Sequence, residues 1–204
     1  MDRKSLGEHS EMNKLNQSSQ SGGSSGALTQ LIKKLSYREG NFTLASGKKS
    51  TFYVDLKTTT LHPDGAYAIA QAALELLKSE NLKIDAVGGL TLGADPLATA
   101  ISLAAREQGL VWPAYIVRKE PKGHGTSRYI EGTENLKPGA SVLVLEDVVT
   151  TGGSSIQAVE RLREAGFNPV AILTVVDREE GGAEAIGKLG LRFLALTTLR
   201  AIRG

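Results

Sequence analysis

Residues 142–154 read Val142-Leu143-Val144-Leu145-Glu146-Asp147-Val148-Val149-Thr150-Thr151-Gly152-Gly153-Ser154, two carboxylates set between an apolar run and a stretch of hydroxyls and glycines. Each part has a chemical use. Ionised carboxylates accept hydrogen bonds from sugar hydroxyls. Glycines let the backbone approach a ligand closely, and the free amides at a helix start, with the hydroxyls of Thr150, Thr151 and Ser154, hold a phosphate monoester. Glu146 and Asp147 repel phosphate, so sugar and phosphate sort to opposite ends of the stretch, and the whole reads as a cradle for ribose 5-phosphate. The acidic pair would also suit the magnesium end of a nucleotide hydrolase, but the chain has no Gly-x-x-x-x-Gly-Lys-Ser/Thr loop to hold a triphosphate. As plain structure, residues 150–154 are a turn and a helix cap, which accounts for any one of them and poorly for the run.

This succession of apolar strand, acidic pair and Thr- and Gly-rich loop resembles the signature of the phosphoribosyltransferase family. The resemblance implies that Glu146 and Asp147 bind the ribose hydroxyls of phosphoribosyl pyrophosphate, and that Val148, Val149, Thr150, Thr151, Gly152, Gly153 and Ser154 form the loop around its 5-phosphate. The chain departs from the pattern at Glu146, where aspartate is common.

A second stretch, Arg118-Lys119-Glu120-Pro121-Lys122-Gly123-His124-Gly125-Thr126-Ser127-Arg128, gathers cations, glycines and a histidine in one long connection of the kind usually kept for function. Its plain reading is a solvated charged loop. The chemistry favours a lid: breaking the bond from ribose C1 to pyrophosphate builds positive charge on the sugar and negative charge on the leaving group. Mobile cations neutralise the departing oxygens, and closure excludes water. The pattern Arg-Lys-x-x-Lys-x-His is similar to the catalytic loop of the orotate branch of the family. That similarity implies pyrophosphate contacts from Arg118, Lys119, Lys122 and His124, with Lys122 the main catalytic cation beside His124 and Asp147. It further implies a homodimer whose lid reaches the neighbouring subunit's site.

Arg178 follows an apolar run at 170–176 and would clamp a carboxylate on the same edge as the phosphate loop; a plain surface arginine is the alternative. One charge-assisted contact is worth about 1.5–3 kcal/mol, roughly a ten- to hundredfold preference for a carboxylated pyrimidine. The resemblance to orotate enzymes runs from about Leu28 to Arg203. It takes in Phe42-Thr43-Leu44-Ala45-Ser46-Gly47-Lys48-Lys49-Ser50, Gly89-Leu90-Thr91-Leu92-Gly93-Ala94-Asp95-Pro96 and Asp177-Arg178. It implies that Thr150 and Arg178 hold orotate while the Phe52-Tyr53 backbone covers the base. Many members have lysine at Ala45 and some at Leu92. Two rivals remain, a phosphoribosyltransferase for another base and a non-catalytic regulator that binds phosphoribosyl pyrophosphate.

The elements that must position these groups are legible in the periodicity. Leu28, Leu31, Ile32 and Leu35 predict a helix from residue 27 with Gly40 as its stop. Alternating residues either side of 46–50 predict a hairpin. Ile69, Ala70, Ala73, Leu74 and Leu77 make one stripe on a helix over 63–79. Strands are expected at 84–88, 114–118, 141–146, 170–176 and 192–196, with helices at 94–109, 154–165 and 183–189. Repeated strand–helix units predict an α/β fold, a mostly parallel central sheet flanked by helices on both faces, with a small N-terminal β-containing hood at about 27–60 and ligands at the carboxyl ends of the strands. Residues 1–26 have the composition of a flexible polar tail, ahead of one domain over 27–204.

Composition excludes several functions. Lys and Arg number 24 against 22 acidic residues, so a net charge of +2 offers no broad field for nucleic acid or membrane lipid. The absence of cysteine excludes disulfides, thiolate metal sites and a cysteine nucleophile. No run suits a membrane helix or signal peptide, and a soluble cytoplasmic protein is expected. No dedicated metal ligand is expected: magnesium, the implied cofactor, prefers substrate oxygens and water to a protein cage. His9 and His62 belong to no constellation, and the triplets at Asn16 and Asn41 lack a secretory context.

Overall fold

Successive side chains of a strand alternate between its faces, so the uninterrupted apolar run at 142–145 needs cover on both. The computed structural model, which describes residues 24–43, 47, 49–121 and 129–204, provides that cover. The strands are β1 (Tyr37–Thr43), β2 (Lys49–Val54), β3 (Ala86–Leu90), β4 (Ala114–Val117), β5 (Ile130–Glu131), β6 (Ser141–Val149), β7 (Asn168–Asp177) and β8 (Arg192–Thr198). The last six form one sheet in the order β5-β4-β3-β6-β7-β8, with β6 near its centre. Neighbours pair in parallel except β5, which runs antiparallel to β4.

The helices are α1 (Ser24–Ser36), α2 (Lys57–Thr60), α3 (Pro63–Glu80), α4 (Ala94–Glu107), α5 (Gly153–Glu164), α6 (Gly182–Gly187) and α7 (Leu199–Arg203). On one face, Leu143, Leu145 and Leu173 pack with Ile32 of α1, Ile69 and Leu74 of α3, Leu97 and Ile101 of α4 and Ile202 of α7. On the other, Val142, Val144 and Ile172 pack with Ala158, Val159 and Leu162 of α5 and Ile186 of α6. Full burial of each such aliphatic side chain contributes about 1.5–3 kcal/mol, which anchors β6 between the two helical layers. No helix among the described residues is long and apolar enough to cross a membrane.

The expected elements are present with shifted ends. The first helix starts at Ser24, so residues 24–26, which composition groups with the tail, are helical, while residues 1–23 lie outside the described part. It stops at Ser36, not Gly40. Ser36 is buried with its hydroxyl 2.6 Å from that of Thr59, and Tyr37 already pairs with Val54, so tertiary hydrogen bonding ends the helix before the glycine is reached. Gly40 falls within β1, beside an irregularity between Glu39 and Phe42. The strand expected at 84–88 is Ala86–Leu90, and its Gly88 and Gly89 lie where Tyr115 and the Leu145 carbonyl leave no room for a side chain. β5, α2 and α7 are short elements with too few residues to show a period.

Two capping details explain residues with no evident chemistry. Pro63 opens α3 and the Nδ1 of His62 accepts from the Asp64 amide at 3.3 Å, so His62 is a helix cap. The Thr198 hydroxyl accepts from the Ala201 amide at 3.1 Å and starts α7. The hood consists of β1 and β2, with Tyr37 stacked on Phe52 at 6.0 Å between centroids and the Arg203 guanidinium 5.0 Å from the Phe52 ring.

Candidate active site

β6 continues past the expected end at Glu146 to Val149, so both carboxylates stand on the strand and point to opposite faces of the sheet. Glu146 turns towards α5, where the Ser155 hydroxyl donates to its Oε2 at 3.1 Å. It is only 7% exposed, and burial, reinforced by the neighbouring Asp147 charge, pushes its pKa up to about 7. The Ser155 hydrogen bond and the Lys119 charge oppose that rise. Asp147 turns the other way and stays partly exposed, its Oδ1 accepting from the Val148 amide at 2.9 Å. A Cβ on Gly93 would lie 2.5 Å from that same oxygen, so the turn between β3 and α4 closes directly over Asp147.

The loop after β6 turns on Gly152, whose φ of 85° is the left-handed conformation that favours glycine, and α5 begins at the next residue. Glu146, Val148–Gly153, Ser154 and Ser155 line a cavity of about 210 Å³, with Gly153 and Ser154 exposed at the helix start. The positive end of α5 and the hydroxyl residues Thr150, Thr151, Ser154 and Ser155 line this space, a combination suited to a phosphate. Behind it, Gly182 of α6 packs against Val149 and the Thr150 carbonyl so closely that no Cβ fits.

Arg178 meets this loop from the next strand. Its backbone amide donates to the Val149 carbonyl at 2.9 Å, and its side chain borders a cavity with Leu199, Arg200 and Arg203. The guanidinium pairs with Glu180 at 2.8 Å, while its buried Nε has no hydrogen-bond partner among the described residues. On the opposite side a cleft of about 470 Å³ runs between Thr91, Asp95, Arg118, Lys119 and Glu131. Arg118 is held there by Glu131 at 3.0 Å and its amide donates to the Tyr129 carbonyl at 2.7 Å. Lys122 and His124 lie outside the described residues, as does Ala45; Leu92 is 71% exposed at the cleft's mouth turn.

Residues 57–187 match the phosphoribosyl transferase domain family. The orotate phosphoribosyltransferase of a Nostoc species is 51% identical over 172 residues, which covers 84% of this chain and 82% of that protein. The chain belongs to the orotate phosphoribosyltransferase family. The orotate phosphoribosyltransferase of Aquifex aeolicus is 50% identical over 175 residues, covering 84% of this chain and 93% of that one. The solved Mycobacterium tuberculosis orotate phosphoribosyltransferase in complex with phosphoribosyl pyrophosphate aligns with a TM-score of 0.74 at 37% identity, over 89% of this chain and 99% of its own.

Sequence reasoning assigned no role to several residues that the fold places at the site. Ser155, in the first turn of α5, fixes the orientation of Glu146. Thr91 donates to Asp95 Oδ2 at 2.6 Å, and Asp95 Oδ1 is buried with no hydrogen-bond partner among the described residues. The available signal was the strand end at Leu90 followed by a polar turn at the helix start, the position where open α/β sheets gather ligands.

Proposed function

We propose that this protein transfers the phosphoribosyl group of phosphoribosyl pyrophosphate to orotate, giving orotidine 5-monophosphate and pyrophosphate in pyrimidine synthesis. The observation that supports this base is Arg178, whose backbone amide joins it to Val149 at the edge of the phosphate loop and whose guanidinium Nε has no hydrogen-bond partner among the described residues. A planar carboxylate supplies the acceptor that this donor lacks.

In the mechanism, the amides and hydroxyls of Thr150–Ser154 hold the 5-phosphate, and Glu146 and Asp147 accept from the ribose hydroxyls. Thr150 and Arg178 bring the ring nitrogen of orotate to C1, under the Phe52-Tyr53 hood. Arg118, Lys119, Lys122 and His124 of the basic connection neutralise the departing pyrophosphate. The bond from C1 to the pyrophosphate oxygen breaks as the bond from nitrogen to C1 forms, the proton on that nitrogen is lost to water, and position and electrostatics supply the rate. Magnesium fits this donor set, since the partly exposed Asp147 carboxylate at the mouth leaves coordination open to substrate oxygens and water. When bound, the ion would neutralise pyrophosphate charge. The protein acts as a cytoplasmic homodimer in which each basic lid serves the neighbouring site.

Replacing Arg178 tests the base assignment. Arg178→Ala is expected to raise the KM for orotate by about ten- to a hundredfold, leaving the KM for phosphoribosyl pyrophosphate within about twofold. Steady-state kinetics with each substrate varied in turn reads this, and an unchanged orotate KM would remove Arg178 from the base site.

A further inference from the structure

Arg161 lies on α5, the helix that begins at the phosphate loop, yet its side chain takes no part in the cradle. Its guanidinium donates through Nη1 to the Arg118 carbonyl and through Nη2 to the Lys119 carbonyl, the latter at 2.8 Å. The same group lies 4.1 Å from the centroid of the Tyr129 ring. Tyr129 is the first described residue beyond the basic connection, and its own carbonyl accepts the Arg118 amide at 2.7 Å. One planar fork therefore grips both roots of the connection.

We propose that Arg161 is a positioning residue for the transfer reaction, clamping the two roots of the basic connection to the phosphate-binding helix and so setting where Lys119 stands relative to the acidic pair. A guanidinium suits this task because its donors diverge in one plane while its face stacks on an aromatic ring; an ammonium offers a point charge without either. The carbonyls it holds lie past the end of β4, at and beyond the last cross-strand bond from Arg118 to Tyr129. The arrangement couples the two ends of the substrate: the first residues of α5 meet the 5-phosphate and, two turns on, the same helix fixes the backbone that carries Lys119. The influence of the Lys119 charge on Glu146 agrees with that placement. Arg161 also walls an open cavity of about 450 Å³ with Tyr129, Thr133, Glu164 and Phe167, so shortening it opens no hole in the apolar core.

The inference rests on the basic connection acting at the pyrophosphate end, and the experiment separates the two. Turnover is measured with orotate, phosphoribosyl pyrophosphate and magnesium, and ribose 5-phosphate binding by calorimetry, for wild type, Arg161→Met, Arg161→Lys and Lys119→Ala. Arg161→Met is expected to lower kcat/KM for phosphoribosyl pyrophosphate by about tenfold, mostly in kcat, with the Kd for ribose 5-phosphate within about twofold, because misplacing a charged group costs rate without touching the phosphate loop. Arg161→Lys should recover only part of the loss. A fall below about threefold, or an equal weakening of ribose 5-phosphate, overturns the clamp. Should Arg161→Met fail to fold, Tyr129→Leu removes the ring under an intact arginine and is judged by the same criteria. A fully active Lys119→Ala enzyme would overturn the role of the basic connection, whereas a fully active Arg161→Met beside an impaired Lys119→Ala overturns the clamp alone.

Discussion

At Glu146 the needs of folding and of binding oppose each other. Burial and the Asp147 charge hold the carboxyl protonated up to about pH 7, yet it accepts from a ribose hydroxyl best when ionised. Because the folded pKa is raised from 4.5, the folded state binds the proton more tightly than the unfolded one. The stabilising contribution is complete below pH 4.5 and is lost as pH rises to about 7. Wild type should therefore lose thermal stability relative to Glu146→Gln across that interval, which pH-resolved unfolding curves would show; parallel curves would contradict the assigned shift. For the same reason kcat/KM for phosphoribosyl pyrophosphate should climb through about pH 7 in wild type and lose that step in Glu146→Gln. The position of Glu146 and Asp147 just ahead of the Gly-rich loop was legible from the order of residue types. Their division between the two faces was not, because it depends on the strand continuing to Val149, and valine–valine after an acidic pair reads equally well as the start of a loop.

Among the elements, two glycines in one short stretch serve different ends. A Cβ on Gly89 would strike the backbone carbonyl of Leu145 on the neighbouring strand, which cannot move without parting β3 from β6. A Cβ on Gly93 meets only the far end of the Asp147 side chain. Gly89→Ala should accordingly cost about 1–3 kcal/mol in denaturant unfolding. Gly93→Ala should leave stability within about 1 kcal/mol while lowering kcat/KM by about tenfold through the displaced carboxylate. Equal stabilities for the two variants would refute the distinction. The sheet and its flanking helices were readable because apolar periods of two and of three to four residues persist over whole elements. The stop of α1 at Ser36 was not, since it is set by hydroxyl contacts with Thr58 and Thr59 more than twenty residues away.

For the molecule as a whole, β5 and most of β6 separate the basic connection from the phosphate loop in sequence, and the fold brings Lys119 of the one near enough for its charge to act on Glu146 ahead of the other. The proposed homodimer makes a quantitative demand on that arrangement. Mixing Lys122→Ala with Asp147→Asn, each inactive alone, should restore about a quarter of wild-type activity after subunit exchange, because half of the dimers are mixed and each mixed dimer owns one intact site. No recovery on mixing would mean that each lid serves its own subunit. Such sharing cannot be read from one chain's pattern of residues, which carries the same periodicity whether the lid folds over its own site or a neighbour's.

The identity of the reaction is read from the loss of orotate absorbance when the purified protein is mixed with orotate, phosphoribosyl pyrophosphate and magnesium, with uracil and hypoxanthine run in parallel. The expected result is turnover of orotate alone, with pyrophosphate released in equal amount. Turnover of another base, or binding of phosphoribosyl pyrophosphate with no turnover of any, would contradict it.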